Sequence, residues 1–255
     1  MSNQITDGQI TCALIHMLGL TIIGVVFFWR YLKIWFCANF LGYCLATGFM
    51  LTNRPETWSS FGVYVIFMST FHYLEFLTTA LSNPANLSVD SYLLNHSLQY
   101  GFAALASWIE YGVELWAFPN LKVFNYFGIC GFGILICFFG DALRKTAMLQ
   151  AGKSFNHIVQ GTKAKEHQLV THGVFSFVRH PSYLGWFLFS IGTQMILSNP
   201  ICFIAYLVVT WQFFKERIYI EEYILLQFFG DAYSKYQNSV KHTGIPFVRG
   251  FQKPS

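Results

Sequence analysis

Two short polar stretches stand against long apolar runs, and both hold residue types that bind anions and carboxylates. The first is "RHPSYLGWF", Arg179 to Phe187. Proline suits the first turn of a helix, where its missing N–H costs nothing, and His180 then falls at the capping position. The spacing predicts a helix starting at Pro181, with the N–H groups of Ser182 and Tyr183 open to an anion and Arg179 and His180 as further donors. A capped helix with an interfacial tyrosine and tryptophan would carry the same residues for structural reasons alone. The second stretch is "WQFFKERIYIEEYILLQFFGDAYSKY", residues 211–236. Arg217 and Glu221 lie four apart and share a helix face, in the less stabilising order. Surface pairing explains that placement as well as ligand binding does. Glu222 points about 100° away, toward a different neighbour.

The elements that position these residues are helices long enough for a bilayer. The chain of 255 residues is 54% hydrophobic and only 11% charged, against the roughly 25% charged residues of soluble domains. Its apolar runs are continuous, so helices are predicted and a barrel is not. Seven spans are expected, near 10–29, 33–51, 59–80, 92–117, 121–141, 182–198 and 200–220. His96, Gln99, Glu110 and Glu114 interrupt the fourth. No lysine or arginine precedes the first span, which argues against a cleaved signal, while Arg30 and Lys33 follow it. Basic residues gather in 142–181 and after 214, so both segments are expected on the cytosolic side. The net charge of +4 is thereby explained by topology, and no nucleic-acid partner is expected.

These features predict an all-α, polytopic membrane protein with a cytosolic, cofactor-binding cap. Residues 1–141 form an N-terminal bundle. Residues 142–255 form a core containing the 142–181 loop, the hairpin 182–220 and the tail. If the last long helix runs to Phe229 it spans about 45 Å, against about 30 Å of hydrocarbon. Lys215 to Glu222 then sit at the boundary to which the antiparallel hairpin returns "RHPSY". The histidines of the loop, His157, His167, His172 and His180, match no zinc spacing, so no metal is expected. All six cysteines fall in apolar runs and read as buried hydrophobes. A helix-start anion site, a carboxylate, the run His167, Gln168, Leu169 and Val170, and the amide of Gln160 suit S-adenosylmethionine. A nucleotide such as NADPH would also fit.

At these residues the sequence resembles the isoprenylcysteine carboxyl methyltransferase family. The resemblance rests on "QGTKAKEHQLVTHGVFSFVRHPSYLGWF", "FFKERIYIEEYILLQFFGDAYSKY" and "GIPF", with "FHYLEF", "SVDSYLLNHSLQYG" and "FNHIVQ" in support. It implies an endoplasmic reticulum enzyme that methylates the C-terminal carboxylate of a farnesylated or geranylgeranylated cysteine. The partners implied are prenylated CaaX proteins, Ras-like small GTPases among them, and the bilayer itself. By position, the resemblance implies cofactor contacts at Gln160, His167, Gln168, Leu169, Val170, His180, Pro181, Ser182, Tyr183 and Glu221, and a substrate-carboxylate role for Arg217. Phe175 also falls in the cofactor set, where family members often carry a tyrosine. Some animal members have one span more than the seven counted here.

A carboxylate nucleophile is already ionised at neutral pH, so alignment and water exclusion are the required tasks and no general base is needed. Arg217 is expected to hold one carboxylate oxygen and leave the other free. His72, Glu75, His96, Glu110 and Glu114 are costly in a bilayer; an internal hydrogen-bonded network is the favoured reading over a functional one. An NADPH-dependent sterol reductase and a phospholipid methyltransferase are the enzymatic alternatives. A transporter or structural protein would explain the spans but not the two converging polar stretches.

Overall fold

The computed structural model describes residues 31–252 apart from 55, 95–96, 121, 123–125 and 164–165. The expected span 10–29, with Cys12 and Arg30, lies outside the described residues, as do His96 and Lys165. Within them the chain is helical and contains no strand. The order is α1 (Leu32–Thr52), α2 (Glu56–Ser82), α3 (Leu98–Ala117), α4 (Gly131–Ala151), α5 (Pro181–Leu197), α6 (Pro200–Phe229) and α7 (Asp231–Ser239). Short 3-10 turns follow α2 at Pro84–Asn86 and Val89–Tyr92.

The helix predicted to begin at Pro181 does so with His180 as its cap, and the last long helix runs to Phe229. Leu32–Thr52 and Trp58–Ser82 are long and apolar enough to cross a membrane, with hydropathies of 1.5 and 1.2 over 18 residues. The expected fourth span is divided, because Val89–Tyr92 and α3 are separate elements. The polar stretch expected from 142 starts later. α4 runs unbroken through 141/142 to Ala151, because Arg144 and Lys145 find partners inside the bundle. Large apolar side chains on α1, α3, α4 and α6, such as Phe40, Trp108, Phe138 and Val208, stay exposed. Such a surface suits lipid better than water.

α4 and α5 meet backbone to backbone. A Cβ on Gly140 would lie 2.7 Å from the Gly185 carbonyl oxygen, and one on Gly133 would lie 2.7 Å from the Ile196 nitrogen. Gly192 is equally confined by Cys137. Two glycines seven apart on each helix thus form a seam, the close-approach device of helices in lipid. Phe71 stacks on Phe189 at 4.3 Å and ties α2 to the same seam.

His72, Glu75, Glu110 and Glu114 are hydrogen-bonded inside the bundle, as expected of them, while His96 lies outside the described residues. Arg144 donates to both Glu75 oxygens at 2.5 and 2.9 Å, and Lys145 and His157 join at 2.5 and 2.9 Å. His72 contacts the Tyr92 carbonyl oxygen at 2.8 Å and the Tyr100 hydroxyl at 3.1 Å. Glu110 accepts from the N–H groups of Ile201 and Cys202, both at 2.7 Å, and so caps the start of α6. Glu114 takes Lys122 at 2.5 Å, and Lys122 also donates to the Leu197 and Ser198 carbonyls at the end of α5. A hairpin link with no charge of its own is therefore held by charges remote in sequence.

Candidate active site

The site forms where the start of α5 meets the last three turns of α6. Tyr183 sits one turn into α5 and Glu221 beyond the midpoint of α6; the Tyr183 hydroxyl donates to the Glu221 carboxylate. The same hydroxyl accepts from Arg217 Nε at 2.8 Å. Arg217 further donates to the His157 carbonyl, and its guanidinium lies 5.3 Å from the Tyr183 ring centre. The two distant polar stretches therefore meet through one phenolic oxygen.

One side of this chain of bonds opens on a cavity of about 110 Å³. His167, Gln168, Leu169, Val170 and Phe175 line it, with His180, Pro181, Ser182, Tyr183 and Glu221 opposite and Leu225 and Phe229 closing the floor. Ten expected cofactor residues are thus brought together. Gln160 lies apart, exposed, in a small recess beside Tyr183 and Glu221 and at the edge of a second, polar cavity. Arg217 faces that second cavity, of about 660 Å³, together with His157, Asn156 and Asp90.

The expected anion donors at this helix start are corrected. Arg179 is no donor to an anion at the helix start. Its guanidinium donates to Glu222 at 2.7 Å and to the carbonyls of Val240, Lys241 and Arg249 at 2.7 to 2.9 Å. Those carbonyls belong to the tail, which would otherwise leave them unpaired against a buried charge. Tyr183 N–H likewise turns back to the His180 carbonyl at 3.1 Å. His180 remains a wall of the cavity, its ring stacked on Tyr183 at 5.5 Å, while its Nε2 is bonded to Glu222 at 3.1 Å.

Glu222 is the different neighbour's partner that its 100° offset implied. It is fully buried and also accepts from Gln237 at 3.1 Å. Burial pushes its carboxyl up, but the His180 hydrogen bond and the Arg179 guanidinium outweigh that and hold it below the ordinary carboxylate range. Burial and the nearby Lys163 ammonium both lower the His167 pKa. The tail completes the wall: Arg179 N–H bonds to the His242 carbonyl and His180 N–H to that of Thr243, both at 2.9 Å. Gly250, at φ 77°, lies so close to the Glu222 carboxylate that no side chain fits there.

Three further residues contribute to the site. Arg144 donates to the Ser182 hydroxyl at 2.7 Å and packs over Trp186 at 4.6 Å, fixing the start of α5 from below. The tail residues Tyr233 and Tyr236 line the cavity, and the Tyr236 hydroxyl donates to the Phe175 carbonyl at 2.6 Å. A signal existed for Arg144, a cation within an apolar stretch, but it had been assigned to a loop.

The donors fit S-adenosylmethionine in kind: an acidic side chain for an ammonium, an apolar slot for a base, and loop backbone beside it. In size the cavity is below the roughly 300–1,000 Å³ of sites that hold drug-sized ligands. Entry of a ligand of that size requires the outer part of the loop, around Lys163 and His167, to shift from α6, while His157 stays held by Glu75 and Arg217. Few contacts join that outer part to α6: Lys163 donates to the exposed Phe228 carbonyl at 2.9 Å, and His167 meets the Phe228 and Phe229 rings edge-on at 5.8 and 5.5 Å. Such sparse, exposed contacts belong to segments that open at low cost.

Comparison with known proteins agrees with this geometry. The profile of the Isoprenylcysteine carboxyl methyltransferase (ICMT) family matches residues 133–227, which hold α4 to most of α6. A protein-S-isoprenylcysteine O-methyltransferase from Xenopus laevis is 49% identical over 84% of this chain and 73% of its own length. The Homo sapiens protein of that name is 48% identical over 84% and 74%. A solved structure described as a eukaryotic intramembrane Ras methyltransferase, isoprenylcysteine carboxyl methyltransferase, superposes with a TM-score of 0.87 at 44% identity. The match covers 95% of this chain and 88% of that one. The chain belongs to the isoprenylcysteine carboxyl methyltransferase family.

Proposed function

We propose that this protein is an intramembrane enzyme that methylates the C-terminal carboxylate of a prenylated cysteine, with S-adenosylmethionine as methyl donor. The observation that carries the reading is the Arg217–Tyr183–Glu221 chain, which stands between the cavity lined by the expected cofactor residues and a second, larger one. Family membership supplies the reaction class; the chain of bonds supplies an arrangement suited to it. The reductase and phospholipid alternatives gain nothing from the relatives, which are named as carboxyl methyltransferases.

Bound S-adenosylmethionine would supply an electrophilic methyl on sulfur. Glu221 would take its ammonium, Ser182 its carboxylate end, and Leu169, Val170 and Phe229 its adenine. Arg217 has two of its five N–H groups committed to Tyr183 and His157. Its remaining edge can hold the substrate carboxylate while one oxygen stays free to attack. The substrate acid is ionised near neutrality, so no residue need remove a proton. Closure of the outer loop around Lys163 and His167 would strip water from the nucleophile and strengthen the Arg217 contact.

The wider setting is part of the same proposal. Seven spans carry the site to the cytosolic face of the endoplasmic reticulum membrane, with a cap built from the 152–180 loop, α7 and the tail. The basic loop and tail support that orientation, and the exposed apolar faces of α1, α3 and α4 support immersion. The substrates are prenylated CaaX proteins, including Ras-like GTPases. No metal or nucleic acid takes part.

Arg217→Ala tests the assignment. Methyl transfer to an S-farnesylcysteine derivative is expected to fall at least 100-fold, about 3 kcal/mol for an oriented charged contact. Calorimetry on the same preparation is expected to find S-adenosylmethionine affinity within about threefold of wild type, because Arg217 faces the other cavity. Near-normal turnover would remove Arg217 from the reaction.

A further inference from the structure

We propose that the polar cavity beyond Arg217 holds the polypeptide preceding the prenylated cysteine, and that Asp90 selects substrates with a basic residue there. The inference rests on the function proposed above. A substrate carboxylate held at Arg217 belongs to the last residue of a chain, so the rest of that chain must lead away from Arg217. Toward the donor cavity stands Tyr183, to whose hydroxyl Arg217 is bonded, and the methyl donor would itself fill that cavity. On the other side lies open space of about 660 Å³ with Arg217 in its wall.

The lining chemistry suits a peptide. Asn86, Ser88, Asn156 and Gln160 present amides and hydroxyls, groups that pair with backbone N–H and C=O, and Leu93, Phe155 and Ile158 add apolar surface for side chains. A hydrocarbon chain seated here would strip Asp90 and these polar groups of water. The prenyl group therefore leaves by another route and the polypeptide by this one.

The wall is also built to stay in place. Asn83 donates to the Lys153 and Phe155 carbonyls at 3.3 and 3.1 Å, and Asn86 to the Asn156 side chain at 3.0 Å. These bonds tie the connection after α2 to the loop that carries His157. Ser88 and Ser91 bond reciprocally across the turn Val89–Tyr92, and Tyr92 stacks on Phe76 at 4.2 Å. Asp90 is thus carried, exposed, on a fixed turn. Among the described residues that line this cavity it is the only acid.

A reason for the substrate to bring a cation follows from membrane physics. One lipid chain anchors a protein only marginally, and a basic segment beside it supplies the second signal at an anionic leaflet. A substrate delivered in that way presents lysine or arginine close to the modified cysteine.

The test uses the purified full chain in uncharged detergent. Three substrates are compared: an N-acetyl farnesylcysteine, and farnesylated peptides with lysines or glutamates at the three positions before the cysteine. The lysine peptide is expected to exceed the glutamate peptide in kcat/KM by about two- to fivefold, the range of an exposed ion pair. Added salt should reduce that ratio, Asp90→Asn should bring it toward one, and Asp90→Lys should invert it. Because the ratio is taken within one preparation, partial loss of folded enzyme cancels. A wild-type ratio of one, or the same ratio in Asp90→Lys, with the small substrate methylated, would overturn the inference alone. Failure to methylate any of the three would overturn the proposed function with it.

Discussion

The smallest unit of the site is a single oxygen. The Tyr183 hydroxyl joins Glu221 to Arg217, so a residue proposed for the cofactor also steadies the proposed substrate clamp. Tyr183→Phe keeps the ring against His180 and removes only that link; a net hydrogen bond of about 0.5–1.5 kcal/mol converts to a two- to tenfold loss in kcat/KM for the prenylcysteine. Steady-state kinetics checks this, and an unchanged value would mean that Arg217 needs no such anchor. Glu222 acts on the fold. Its folded-state pKa is depressed, so its stabilising contribution is present above the ordinary carboxylate value near 4 and is lost as pH falls through the lower, folded value. Glu222→Gln is expected to lower the melting temperature near neutrality and to flatten the acid limb of stability between about pH 5 and 2, read by thermal unfolding across pH. Arg217 and Glu221 were legible in the sequence because a spacing of four defines a helix face. The Tyr183 bridge and the Arg179–Glu222 pair were not, since both depend on how residues about forty apart come into register between two helices.

At the scale of elements, the hairpin was readable and the seam that sets its depth was not. Proline at 181 and at 200, and an apolar run too long for the bilayer, mark α5 and α6 without further help. Gly133, Gly140, Gly185 and Gly192 look unremarkable one at a time, and only the facing backbones show why no side chain is tolerated. The polar start at 142 misled for a related reason: charge was read as a loop, whereas Arg144 and Lys145 lie inside, neutralised by Glu75 and Asp141. Gly185→Leu should therefore cost about 1–3 kcal/mol or more by overpacking and shift Ser182 away from the cavity. Gly112→Ala, with nothing within 4 Å, serves as the control. Melting temperatures of the two in detergent should separate clearly; equal values would mean that α4 and α5 are not in backbone contact.

Taken as a whole, the molecule places its pocket where the start of α5 meets the last turns of α6. The tail and the loop close over it, the tail firmly through Arg179 and Gln237, the loop firmly at His157 and loosely around Lys163 and His167. That difference makes the outer loop the door and the tail the frame. Composition announced a membrane protein from the outset, but not which faces meet lipid, because burial depends on neighbours that composition does not order. The central claim is that this frame joins a soluble methyl donor to a bilayer-borne acid. The most direct measurement is transfer of a labelled methyl group from S-adenosylmethionine by the purified protein to matched cysteine derivatives with and without the farnesyl group. Labelling of the farnesylated acid at least 100-fold above its unprenylated twin is expected, since burying the chain is worth about 0.8 kcal/mol per methylene. Equal labelling of the two, or none despite bound cofactor, would contradict it.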